Sequence, residues 1–357
     1  MRKKYLEFSG VKIVPVWSDS MGAKSFSIYV DTGDIRILID PSASVMHPSF
    51  PLDEREKGQL VDKAITLLSK YAKKADVITI THYHYDHYKP SLLEFYLGKI
   101  LLVKNPNQYI NESQRKRAEE FFSLLYKHLT QKEIKLYKRQ EKVGIPDFSE
   151  KLKKALSRDY GDYNERKKEL IRKGLSWISR LSEKWNNWEI IPELDIKGTR
   201  WIFADGREFK FGGTIIKFQE PMFHGIEFSR VGWVIPIVIK THGVKILYSS
   251  DLNGPIIEDY ADWIIKENPD ILFLDGPATY MIPYTLNLIN FRRAIENLIT
   301  IIDNVDSQII FLDHHVTRDP KFRKRIKKVY EEANEIGKKI LAFSEFYDKK
   351  PLAETLG

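Results

Sequence analysis

The sequence predicts an α/β chain in four layers, helix–sheet–sheet–helix (αββα, within the α+β range). Three observations predict it. Two stretches of the chain are rich in short β-branched or aromatic runs. Each ends in alternating helix and strand patterns. Acids and imidazoles stand immediately after several of the apolar runs, where strands would stop.

In the first half, Val11 to Trp17, Ser25 to Asp31 and Ile35 to Ile39 read as strands punctuated by Gly22 and Thr32-Gly33-Asp34. The third run closes on Asp40-Pro41, and a loop with His47, Pro48 and Pro51 follows. Helical spacing of Leu60, Ala64, Leu67/Leu68 and Tyr71 predicts a helix from Gln59 to Lys73. Next come a strand over Ala75 to Thr81 (ADVITIT), a short helix over Pro90 to Leu97 and a strand over Ile100 to Val103.

Residues 105–190 differ in character. Asn111 with Gln114 resembles a capping box. Ala118, Phe121/Phe122, Leu125 and Leu129 recur at helical spacing, as do Leu170, Trp177/Ile178, Leu181 and Trp185. The segment is read as a helical insertion within a single domain spanning 1–357, being too long for an ordinary loop. Strand patterns resume in Trp201 to Phe203, Glu208 to Phe211, Thr214 to Gln219, Gly232 to Lys240 and Val244 to Ser249. The tail then alternates a helix from Ile256 to Lys266, a strand at Ile271 to Leu274 and a helix from Asn287 to Asp303. A strand at Ile309 to Leu312 and a basic helix from Pro320 to Lys339 close it.

The 357 residues, 43% of them hydrophobic, can bury a sizeable core. There is no cysteine, so thiolate ligands and a thiol nucleophile are excluded. The N-terminus is basic but lacks the apolar core of a secretory signal, and runs such as Trp233 to Ile239 fall far short of the roughly 20 residues that span a bilayer. The expectation is a soluble cytoplasmic protein with no membrane partner; the oligomeric state is left open. Of the formal net charge of +8, residues 105–190 hold most, with 20 Lys+Arg against 13 Asp+Glu. Such an excess attracts anions, nucleic acid among them, although solvated Lys/Glu-rich helix faces are the commoner reason for it.

His82-Tyr83-His84-Tyr85-Asp86-His87 is the chemical centre of the chain. On extended backbone His82, His84 and Asp86 share one face, and His87 joins them only if the chain turns. Imidazole and carboxylate suit zinc, and other divalent metals of similar preference. Pro90 is placed to open a helix just beyond.

With Asp40 after RILI, His224 after QEPMF, Asp251 after ILYSS and His314-His315 after IIFLD, the cluster resembles the ordered motifs of the metallo-β-lactamase superfamily: an Asp, HxHxDH, a His, an Asp and a final His. The details THYHYDH, INESQRKRA and LDHHVTRD look most like an archaeal branch of predicted metal-dependent hydrolases. The resemblance implies a metallo-β-lactamase-like αββα sandwich and two divalent metal ions, zinc first, with manganese or iron as alternatives. His82, His84 and His224 would hold one ion. Asp86, His87 and the last His would hold the other, with Asp251 bridging. Asp40 would orient a ligand, and Asp86 would orient a hydroxide bridging metals about 3.5–4 Å apart. The catalytic assignments are therefore Asp86 and Asp40. Strand period cannot choose between His314 and His315, but a ribonuclease Z-like spacing of His and Arg falls on His314 and Arg318.

The implied activity is hydrolysis of an ester, phosphodiester or related bond in an anionic small-molecule or phosphodiester substrate. The alternatives are a nuclease acting on RNA or DNA, and a non-catalytic metal-binding protein docking a partner through the insertion. His47 reads as a surface residue, with a substrate contact as the alternative, and Asp275 and Tyr280 could line the site. His128 and His242 are given no role.

Overall fold

The computed structural model describes residues 5–145 and 147–356. The first four residues of the basic N-terminus and Pro146 of the insertion lie outside them. Eight strands form the first sheet: β1 (Leu6–Phe8), β2 (Val11–Ser18), β3 (Phe26–Asp31), β4 (Arg36–Ile39), β5 (Val77–Ile80), β6 (Ile100–Val103), β7 (Leu194–Ile196) and β8 (Thr199–Phe203). Their order is β1-β2-β3-β4-β5-β6-β8-β7. A small ribbon, β11 (Met222–Phe223) with β12 (Trp233–Val234), interrupts the strands of the second sheet. That sheet holds β9 (Glu208–Phe211), β10 (Thr214–Phe218), β13 (Ile237–Thr241), β14 (Val244–Tyr248), β15 (Ile271–Asp275), β16 (Ile309–Asp313) and β17 (Ile340–Leu341), in the order β17-β16-β15-β14-β13-β10-β9. In each sheet antiparallel strands lead into a parallel set, β4-β5-β6-β8 in one and β14-β15-β16-β17 in the other.

The period of two along each strand builds the layers. Ile37, Ile39, Val77 and Leu102 point at Ile237, Ile239, Ile246, Phe273 and Phe311 in a core between the sheets. Their neighbours Leu38, Ile78, Leu101, Val238, Leu247 and Leu272 point outward, under helices. Burying each such side chain contributes about 1.5–3 kcal/mol, and because successive residues face different cores, a register slip of one residue would exchange the two apolar faces and disturb the packing of both. Helices α1 (Glu54–Ala72) and α2 (Glu112–Thr130) cover the first sheet. Two short helices, α3 (Phe148–Lys151) and α4 (Lys153–Ser157), precede the long α5 (Asn164–Asn187). The second sheet is covered by α6 (Glu258–Glu267), α7 (Leu288–Asn304), α8 (Phe322–Arg325) and α9 (Lys327–Glu335). This is the αββα sandwich that the strand and helix patterns predict. Among the described residues no helix is long and apolar enough to cross a membrane.

Several elements depart from the sequence reading. Helix α1 starts five residues before the predicted Gln59, on a full capping box between Asp53 and Glu56; its first turn, Glu-Arg-Glu-Lys, carries no apolar signal. No helix opens at Pro90, where turns lead to a single 3-10 turn at Leu93–Phe95. There the Tyr96 hydroxyl accepts from Lys89 N at 2.9 Å, and Phe95 and Tyr96 are drawn into the core. The run from Gly232 to Lys240 is two strands, broken before β13 at Pro236, which has no N–H to give a ladder. The predicted basic helix from Pro320 to Lys339 breaks at Ile326, whose side chain is wholly buried.

Candidate metal centre

Strands β4, β5, β14 and β16 all deliver their C-terminal ends to one edge of the sandwich. Asp40, Ser250 and His314 leave those ends with φ of +48°, +51° and +62°, the left-handed region that non-glycine residues adopt at a cost. Past β5, His82 and His84 face inward while Tyr83 turns away, its hydroxyl donating to Lys104 O at 2.6 Å. A turn with His87 N donating to His84 O at 2.9 Å returns His87 to the cluster. Alternation therefore holds over 82–84, and a turn, not a helix, completes the motif.

Asp251 stands at the middle. Its Oδ2 lies 3.1 Å from His224 Nε2 and 3.5 Å from His82 Nε2, and His82 Nε2 is 3.1 Å from His84 Nδ1. Its Oδ1 lies 3.1 Å from His87 Nε2 and 3.5 Å from His314 Nε2. The side chains form two metal-sized groups, His82–His84–His224–Asp251 and Asp86–His87–His314, with one Asp251 oxygen turned to each, and Asp251, His314 and His315 form a third that overlaps them. All the residues named from the motif resemblance thus meet. His314 stands beside His87, while His315, held by Asp275 Oδ1 at 2.8 Å from its Nδ1, borders the same cavity and is close enough to Asp251 and His314 to share an ion with them, so both histidines remain candidates for the last ligand.

The outer atoms of the imidazoles are supported from behind. His87 Nδ1 lies 2.9 Å from Asp40 Oδ2, and Asp40 also accepts from Thr81 N at 2.7 Å and Thr81 Oγ1 at 2.6 Å, with Tyr248 OH 2.9 Å away. Wholly buried behind His87 and not among the residues lining the cavity, Asp40 is a positioning residue, not one that touches reactants. His314 Nδ1 lies 3.0 Å from Ser25 O and 3.1 Å from Asp19 Oδ1. Arg318 joins Asp19 through Nε, donates to Asp86 Oδ2 at 3.2 Å and to Tyr280 OH at 3.2 Å.

Burial, reinforced by charge on His87, pulls His82 down to about 4, and burial with His82 nearby holds His84 well below the usual imidazole range. Burial opposes charge on His87 too, but Asp251 and Asp40 outweigh it and push the group up to about 10. For His314, Asp19 and Asp251 likewise overcome burial and raise it. Burial works against ionisation of Asp251 and Asp86, yet His87 and the cations around it hold both well below the ordinary carboxylate range. Two buried carboxylates are thus kept ionised in a pocket that must supply positive charge of its own.

The donor set fits divalent metal. Among the described residues His87 Nε2 and Asp251 Oδ1, both buried, face each other at 3.1 Å without a well-aligned hydrogen bond, and His224 Nδ1 has no hydrogen-bond partner. Unpaired buried lone pairs are costly, and imidazole with carboxylate and no thiolate suits zinc, manganese or iron. His82, His84, His224 and Asp251 could hold one ion, and Asp86, His87, His314 and Asp251 a second.

Sequence reasoning missed three groups. Asp19 carried a signal, an acid directly after a strand. Gln114 looked like the partner in a capping box; Asn111 does cap α2, but the Gln114 side chain goes elsewhere, accepting from Tyr83 N at 3.0 Å, donating to Val231 O at 2.9 Å and standing 3.4 Å from His84 Nε2. Lys24 gave no signal. Of the other candidates, Tyr280 lines the cavity while Asp275 sits behind His315, and His47 stacks on Tyr280 at 4.8 Å. His128 lies on α2 and His242 in the β13–β14 turn, outside both groups.

The 105–190 segment holds the ribbon that carries His224. Trp177 and Trp185 of α5 pack on Trp233 with ring centroids 5.6 Å apart in each pair. Asn111 Nδ2 donates to Val231 O at 2.7 Å. Gly174 lets α5 approach Phe228, where a Cβ would lie 2.3 Å from the Phe228 Cβ.

The layers and the shared-carboxylate cluster define a metallo-β-lactamase-like fold with a histidine–aspartate cluster that could hold metal. No family model matches the chain. The UPF0282 protein of Korarchaeum cryptofilum is 32% identical over 341 residues, covering 95% of this chain and 90% of that protein. The UPF0282 protein of Methanocaldococcus jannaschii is 30% identical over 328 residues, covering 88% of each. The chain belongs to the UPF0282 family. Among solved structures, the metallo-β-lactamase fold protein YhfI of Bacillus subtilis is similar at a TM-score of 0.43 and 13% identity, over 93% of this chain and 95% of that one.

Proposed function

We propose that the protein is a metal-dependent hydrolase that attacks an ester, phosphodiester or related bond with water. The observation that supports this reading is the Asp251 carboxylate, one oxygen of which faces each of two imidazole-containing groups. Divalent ions held there supply Lewis-acid polarisation of the scissile group and a water acidic enough to attack near neutral pH. The chain itself sets the positions. Asp40 fixes the ring of His87, and Ser25 with Asp19 fixes that of His314. Asp86 is held through Oδ2 by Arg318, which leaves its Oδ1, without a hydrogen bond among the described residues, to orient the attacking water. The chain has no cysteine, so no thiolate competes with water as the nucleophile.

The test is metal analysis of untagged protein after incubation with zinc, manganese or iron(II), followed by turnover of bis-p-nitrophenyl phosphate, a p-nitrophenyl ester, a lactone and a thioester. Bound metal and turnover of at least one substrate, abolished by Asp251→Ala, are expected. Protein that takes up none of the three metals overturns the reading.

A further inference from the structure

A cavity of about 600 Å³ opens over the metal-binding groups, a volume suited to one small organic ligand. Its only carboxylates among the described residues are Asp86 and Asp251, both already committed to the metal-binding groups. Three cations line it: Lys24, Arg117 and Arg318. Arg318 is balanced by Asp19 and Asp86. The other two make no ion pair among the described residues.

Lys24 is held by its backbone, which exchanges hydrogen bonds of 2.9 and 2.8 Å with Ser44, while its half-buried ammonium makes neither ion pair nor hydrogen bond among the described residues. Burial, with the charge on Arg318, holds that ammonium below the ordinary lysine range against the weaker pull of Asp86 and Asp19, which are paired with Arg318. The buried lysines elsewhere are different: Lys57, Lys104 and Lys167 each have a carboxylate partner. Arg117 reaches the cavity from α2, donating to Tyr83 O at 3.2 Å and lying 4.9 Å from the centroid of the Tyr85 ring, again with no carboxylate. A partly desolvated cation without a partner is unfavourable unless an anion completes it. The rest of the wall is apolar, with Ile226, Val231, Ile256, Met281 and Leu286.

We propose that Lys24 and Arg117 are the substrate's oxyanion anchor, and that the substrate is a small organic anion, a phosphate or carboxylate, carrying an apolar group. This deepens the hydrolase reading and rests on it for the cavity being the reactive one.

The test is calorimetric titration of zinc-loaded protein with phenylphosphonate, phenylacetate and the neutral benzyl alcohol, so its readout is binding, not turnover. Phenylphosphonate or phenylacetate is expected to bind the wild type at least tenfold more tightly than benzyl alcohol. Lys24→Met and Arg117→Met should each weaken the anion by about tenfold with bound zinc unchanged, while Lys24→Arg stays within about threefold of wild type. Whichever anion binds more tightly identifies the headgroup. Unchanged affinity in both Met variants, no binding of either anion at millimolar concentration, or loss of zinc in step with affinity overturns the proposal. A twelve-residue oligouridylate that binds more tightly than either small anion overturns the small-ligand class. Protein that binds the anion through Lys24 but hydrolyses nothing would sink the hydrolase reading and leave the anchor standing; turnover of an anionic ester untouched by Lys24→Met would do the reverse.

Discussion

The Gln114 side-chain oxygen accepts the backbone N–H of Tyr83 at 3.0 Å, which ties helix α2 to the loop between His82 and His84. The same carboxamide donates to Val231 O at 2.9 Å, in the turn of the ribbon that carries His224. One residue of a segment that looked peripheral thus links three of the side chains grouped around Asp251.

Replacing Gln114 with Ala should therefore loosen the first group without unfolding the sandwich. Loss of such outer support costs about 10–100-fold in metal affinity. A competition titration of zinc against a chromogenic chelator reads this directly. An affinity within twofold of wild type would show that the Gln114 contacts are incidental.

Asp251→Asn keeps the shape of the carboxylate but removes its charge from both groups. Bound metal per chain, measured by mass spectrometry after dialysis against zinc, should fall by at least one equivalent, and Asp40→Asn should weaken binding without abolishing it. Equal stoichiometry in wild type and Asp251→Asn would contradict the shared-ligand geometry.

Acid stability should carry the mark of Glu258. Burial raises its pKa, but hydrogen bonds and charge from Arg293 outweigh this and leave it below the ordinary value in the folded protein. The sign follows: the Glu258–Arg293 contact, 2.7 Å long, stabilises the fold fully above the unfolded-state pKa, and that contribution is lost as pH falls through the lowered folded value. Melting temperature in Glu258→Gln should thus be lower than wild type at pH 7 and converge on it below the ordinary carboxylate range. Arg293→Met removes the cation that Glu227 and Glu258 share but leaves Glu227 with Lys167 and Glu258 with Arg158, so it should cost less in urea unfolding at pH 7 than the roughly 3–5 kcal/mol of a buried charge left with no partner.

Gly174→Ala places a methyl group against Phe228, and overpacking of this kind costs about 1–3 kcal/mol. Because α5 packs on the ribbon bearing His224, amide exchange in residues 222–234 should quicken along with the loss of global stability. Unchanged exchange there would mean that the helix and the ribbon are energetically separate.

Much of this molecule was legible in the chain because short-range patterns report it. The continuous apolar runs ILLV and ILFL mark strands covered on both faces, and apolar residues at helical spacing in α1, α2 and α5 mark helices facing a core. Where a tertiary contact overrode the local pattern, the reading failed. Pro90 suggested a helix start, but Phe95 and Tyr96 were claimed by the core and the Lys89 N–H by the Tyr96 hydroxyl.

The motif chemistry was a property of the sequence by itself. Three imidazoles and an acid in six residues, with further acids and imidazoles at strand ends, point to a cluster that could hold metal, because few other environments tolerate them together. Which atoms meet was decided only by the fold. The two sheets bring Asp40, separated from His87 by 47 positions, to within 2.9 Å of its ring, and set Asp19 beside His314 across 295 positions. Lys24 and Arg117 could be recognised only there as well. An unpaired cation is defined by which carboxylates stand around it, and that is known once the whole chain has packed.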